Sequence, residues 1–186
     1  MNADPCARYA RLDDGRVVFD VAVDGVEDLF NNFERGMPYG RRDLAPDVAD
    51  YLAECAHETG VLPFVLRIRF ARPPPPVDAR RIEHAVSSFF VYLATTERTA
   101  MASMARKSLV LFLLGLTLLF AAVGLNQWLG AERSVVGDVF GEGVTVAAWV
   151  ALWEALATFI VEWSPHRRAL ATYRRLAAAE VLLEAD

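Results

Sequence analysis

The residue best placed to do chemistry is Glu154, an ionisable carboxyl near the middle of the apolar stretch GVTVAAWVALWEALATFIVEW (143–163). At the centre of a membrane span a charged side chain costs about 2.5–3.5 kcal/mol on insertion scales, so one that persists there meets a polar partner or handles a proton or ion. On a helical wheel Glu154 falls with Ala147, Ala151, Ala155 and Thr158, and Trp149, Leu152, Trp153, Leu156 and Ile160 take the opposite arc. Small residues repeating every four positions let helices approach closely in lipid, which leaves the bulky arc for acyl chains. The expectation is that Glu154 points into protein. A second apolar run, SLVLFLLGLTLLFAAVGL (108–125), offers Gly115 and Thr117 at similar depth, and Ser108, Gly115 and Ala122 form a seven-residue stripe of small side chains. The Thr117 hydroxyl is a candidate donor to Glu154.

Other reactive residue types are sparse. His57 falls near a helix end, where the dipole favours a cation, and His84 among exposed helix positions; both read as solvated. The two cysteines, Cys6 and Cys55, have no CxxC spacing and no second pair, so neither a disulfide framework nor a zinc site is expected. There is no nucleophile-base pairing, metal-ligand cluster or glycine-rich phosphate loop, and Gly141-Glu142-Gly143 reads as a turn. The expectation is a non-enzyme without catalytic residues, cofactor or metal. A net charge of −5 argues against a nucleic-acid partner.

The elements that must position Glu154 follow from pattern. In Arg16–Val23, Val17, Phe19, Val21 and Val23 alternate with Val18, Asp20 and Ala22, the period of a strand, and Asp13-Asp14-Gly15 could turn it back on Tyr9–Leu12. Val26, Leu29, Phe30 and Phe33 suggest two helical turns. After the loop Gly36–Arg42, Pro46 opens and Gly60 closes a helix with Val48, Leu52 and Cys55 on one face. Leu62–Phe70 alternates again. Together these suggest a small α/β domain over residues 1–76, ending in the stiff spacer Pro73–Pro76.

Beyond it, Ile82, Val86, Phe89 and Leu93 follow helical spacing, and residues 77–114 lack Gly and Pro. The pattern predicts one long helix over 77–129, its first span at about 108–127, with a break near Thr95–Ala105 as the alternative. At 18 residues the core run reaches about 27 Å, close to bilayer thickness. Then come an extracytoplasmic loop (130–142, with Glu132 and Arg133), a second span (143–163), and at Ser164-Pro165 the start of an amphipathic helix and tail (164–186), in which Val181–Glu184 could add a strand. Arg106 and Lys107 before the first span and Arg167 and Arg168 after the second, against Arg133 between them, place both termini in the cytoplasm by the positive-inside rule. The expected fold class is an α+β membrane protein, a cytosolic α/β domain on a two-helix transmembrane hairpin.

The stretch AWVALWEALATFIVEWSPHRRALATYRRL, with Trp149–Trp153, Glu162-Trp163, Pro165, Arg167-Arg168 and Tyr173, resembles a family of bacterial two-span membrane proteins with a small N-terminal cytosolic α/β domain. Arg42-Asp43-Leu44 and the turn Phe140–Gly143 fit the same family, and the likeness spans most of the chain. After the second tryptophan the family pattern is Arg-Pro with Glu two residues later, whereas this chain has Glu154-Ala155-Leu156-Ala157. A shared Arg/Glu pair is therefore absent or rebuilt around Glu154. The resemblance implies this topology and a bacterial inner-membrane location, and carries no activity. The expected partners are the lipid bilayer and either further copies of the chain or another membrane protein, making it a scaffold or sensor. The alternative is an oligomeric channel or transporter component using Glu154.

Overall fold

In the computed structural model, which describes residues 8–129 and 135–186, the first alternating stretch forms β1 (Val17–Val23) and the second forms β2 (Phe64–Phe70). They pair in parallel, Val17 opposite Phe64 through Val23 opposite Phe70. The suspected terminal strand is real: β3 (Glu180–Ala185) runs parallel to β2, giving the order β1-β2-β3. Between β1 and β2 lie α1 (Val26–Leu29) and α2 (Pro46–Glu58); α3 (Pro76–Leu129) and α4 (Val135–Ala177) lie between β2 and β3.

The chain divides into two units, one made of Met1–Thr96 and Ala169–Asp186, the other of Glu97–Arg168. In the α/β unit one face of the sheet carries Phe19, Leu66, Ile68 and Phe70 into a core with Leu52 and Cys55 of α2, Ile82, Val86 and Phe90 of α3, and Leu176 of α4. The domain thus extends past the expected boundary at residue 76, because the first turns of α3 supply Ile82, Ala85, Val86 and Phe90 to its core. Phe90 is fully buried, and Phe89, placed on the core face by sequence, is only partly so.

Pro46 and Gly60 bound α2 as expected, with Gly60 at a φ of 58°, a left-handed conformation that favours glycine at a helix end. Three local readings change. The Asp-Gly turn forms, but only a single antiparallel bridge joins Arg11 to Val17. The helix after Gly25 stops at Leu29, because Phe30 leaves it to bridge Leu44. The loop over 130–142 is shorter than expected, since α4 already begins at Val135; Glu132, Arg133 and Cys6 lie outside the described residues.

The break at Ser164-Pro165 is also corrected, as Pro165 sits inside α4. Proline removes the hydrogen bond to the Val161 carbonyl and crowds the preceding turn, at a cost of about 3 kcal/mol in a helix interior. Packing on either side holds the helix through it: Ala155 is buried within the helical unit and Leu176 within the α/β core. The predicted long helix is unbroken, with no interruption at Thr95–Ala105.

Arg175 holds the α/β unit together at the end of α2. Its guanidinium donates to the carbonyls of Ala56 (3.1 Å), Leu62 (2.7 Å) and Gly60, and lies 4.8 Å from the Phe64 ring centroid. Burial draws it below the ordinary arginine value.

The opposite face of the sheet buries Val18 and Val65 at one end and is charged beyond them, where parallel sheets are usually covered. Arg67 donates to both oxygens of Asp20, from Nε at 2.6 Å and a terminal nitrogen at 2.8 Å, and Arg69 pairs with Asp186 at 3.3 Å. The hydrogen bonds from Arg67, reinforced by its charge and that of Arg69, hold the Asp20 carboxyl below the usual range against the opposing effect of burial. A carboxyl depressed on folding stabilises fully above its unfolded value, near pH 4, and that contribution is lost as pH falls through the lower folded value. Asp20→Asn is therefore expected to cost about 1 kcal/mol at pH 7, with the difference from the parent vanishing in strong acid. Cys55 is completely buried in the core, so the urea midpoint for its labelling by dithiodipyridine, in a Cys6→Ser background, reads this out at both pH values. A difference that persists undiminished in acid would refute the assignment.

Candidate functional site in the helical unit

Within Glu97–Arg168, α3 and α4 meet along two rows of small residues. On α3 the row is Ser108, Gly115 and Ala122, one every seven positions and continued by the larger Met101, and on α4 it is Ala148 and Ala155; all are buried. The stripe of Ser108, Gly115 and Ala122 read from sequence is thus the contact face of α3. At Gly115 the missing side chain leaves a notch filled by Leu152, whose Cγ would stand 2.9 Å from a β-carbon there.

That notch turns α4 away from the expected orientation. Leu152, assigned to the lipid arc, faces α3, while Ala147 and Glu154, assigned to the packed arc, are exposed. Ala155 is buried as expected, and Ala151 and Thr158 are half-buried at the edge. A small-residue wheel identifies which residues permit close approach; it does not foresee that a glycine opposite can admit a leucine. The anticipated bond from Thr117 to Glu154 is absent, because the Thr117 hydroxyl donates to the Leu113 carbonyl at 2.8 Å, one turn back on its own helix.

Glu154 is therefore an exposed carboxyl on a helix otherwise exposing Trp149, Val150, Trp153 and Ile160. No hydrogen bond or ion pair reaches it among the described residues. A second polar group is also left over: the Ser108 hydroxyl oxygen is buried and unpartnered, beside a groove of about 540 Å³ walled by Phe112, Leu152, Ala155 and Phe159.

A contact that the sequence reading missed ties the two helices near the other end of the unit. His166 Nδ1 and Glu97 Oε2 are 2.7 Å apart, both groups half-shielded. The residues are 69 positions apart, and only the pairing of α3 with α4 brings them together.

Both helices hold stretches long and apolar enough to cross a membrane, within Pro76–Gly124 and Gly141–Ala177. Of the most apolar 18-residue window in each, only 17% and 11% is buried, so most of its surface is left uncovered by the chain. His57 is exposed at the end of α2, and His84 is exposed on α3 with Ser88 at 3.4 Å. No group of three potential metal ligands occurs among the described residues. Comparison with family models, with curated proteins and with solved structures gives no match to this chain.

Proposed function

We propose that this chain is a non-enzymatic integral protein of the bacterial cytoplasmic membrane, whose helical pair associates with further copies of itself and carries the α/β unit on the cytoplasmic side as a scaffold or sensor. The observation that carries the reading is the exposure of Glu154. A carboxyl on the outside of an apolar helix pair, without a partner in its own chain, is costly in hydrocarbon and cheap against a polar group of a neighbouring protein. The unpartnered Ser108 hydroxyl adds to the demand. Arg106, Lys107, Arg167 and Arg168 support the cytoplasmic placement of both termini. The sensor role draws on α3 and α4, each of which passes from one unit into the other as unbroken helix.

Native mass spectrometry from lipid nanodiscs tests this. The parent is expected to give a defined multimer, Glu154→Gln to retain it through a neutral hydrogen bond, and Glu154→Leu to shift it toward smaller species. A monomeric parent would sink self-association. If the exposed carboxyls instead gather around a shared aqueous path, the multimer is a channel, and proteoliposomes should show a proton or ion flux that Glu154→Gln abolishes.

A further inference from the structure

The α/β unit contains a cleft that the membrane-anchoring role does not use. The short turn Tyr39–Arg41 and its neighbours face the second turn of α3 across a cavity of about 600 Å³, lined by Met37, Pro38, Tyr39, Arg42, Arg81 and His84. This volume falls in the range of small-molecule sites, roughly 300–1,000 Å³. Two arginines and a histidine line it, and no carboxylate does.

The cations come from both walls. Arg81 and His84 stand three residues apart on α3, a spacing that puts both on one side of the helix. Arg42 enters from the loop, and its position is fixed: Nε donates to the Met37 carbonyl at 2.7 Å, one terminal nitrogen donates to the Arg35 carbonyl, and the guanidinium lies 4.8 Å from the Tyr39 ring centroid. Its other terminal nitrogen makes no hydrogen bond among the described residues. Arg81 is steadied by Asp78 at 3.0 Å while remaining exposed. Met37, Pro38 and Tyr39 provide an apolar wall between the cationic groups.

We infer that this cleft binds a phosphate monoester carrying an apolar body. A carboxylate needs only one guanidinium fork, whereas arginines on both the loop side and the helix side of a largely apolar cleft suit the several oxygens of a phosphate attached to an apolar group. The apolar wall accommodates the rest of the molecule. The site is independent of self-association in the helical unit. Both a soluble monoester and the headgroup of phosphatidic acid have this chemistry.

The test is titration of the full chain with phenyl phosphate in phosphatidylcholine nanodiscs, followed by calorimetry. Saturable binding is expected, weakened at least tenfold by Arg81→Glu and retained within twofold by Arg80→Glu, which changes the charge equally on an exposed neighbour outside the cleft. Inorganic phosphate should bind more weakly than phenyl phosphate. Cys55 protection from labelling verifies that each variant is folded. Competition from phosphatidic acid added to the nanodisc, abolished by Arg81→Glu, would assign the site to the headgroup; the lack of competition would assign it to a soluble monoester. Absence of saturable binding, or equal losses in Arg80→Glu and Arg81→Glu, would overturn the inference.

Discussion

Exchanging Arg175 for methionine is expected to lower the stability of the α/β unit by about 3 kcal/mol, seen as an earlier urea midpoint for Cys55 labelling in the Cys6→Ser background. Methionine keeps an apolar stem of similar bulk but removes the guanidinium, so the loss combines the hydrogen bonds with the contact to the Phe64 ring. The guanidinium serves the carbonyls of Ala56, Gly60 and Leu62 at the point where α2 ends and the chain turns toward β2. Water can reach the Gly60 carbonyl, but those of Ala56 and Leu62 are partly buried and would lose a charge-assisted partner without full replacement. Arg175→Lys should recover only part of the loss, because one ammonium cannot reproduce the planar fork that spans three acceptors. A midpoint unchanged in Arg175→Met would mean that packing alone holds α4 against α2.

Much of this unit is legible in the sequence, for a physical reason. Val17–Val23 and Phe64–Phe70 keep one face in the core and, past their first three residues, leave the other to polar side chains or partial exposure, which imposes a period of two. Pro46 and Gly60 announce α2 because each suits one end of a helix. Arg175 is silent in the same sense: an arginine beside Arg174 on an amphipathic helix looks solvated until β3 docks and brings α4 across the end of α2. Pro165 misleads in the opposite direction. The local preference for a break there is overridden by packing on both flanks, a balance that a single helix cannot display. Similarly, Arg42 lies 39 positions from Arg81, and the cleft they share exists only after the first turns of α3 cover the sheet.

In the helical unit the largest expected effect comes from Gly115→Val. A β-carbon at this position would sit 2.9 Å from Leu152 Cγ and 3.1 Å from the Leu152 backbone nitrogen. The first clash could be relieved by moving a side chain; the second requires the helices to separate. Separation opens the row of small residues on both sides, and without a hydrophobic effect between helices in lipid, close packing is most of what holds them. The cost is about 2–3 kcal/mol, the upper part of the range for overpacking a tight contact. Gly124→Val is the matched control, since a β-carbon there meets nothing within 4 Å on the same helix. Titration of the reconstituted protein with SDS, followed by circular dichroism and tryptophan fluorescence, should show Gly115→Val losing its helix pairing well before Gly124→Val. Adding Leu152→Ala should restore part of the loss by removing the side-chain clash, while the backbone contact prevents full recovery. That non-additivity distinguishes a specific crossing from a general dislike of valine in the span. Equal behaviour of the two glycine variants would show that the helices are not held at Gly115, and would return Leu152 to the lipid face and Glu154 to the packed one.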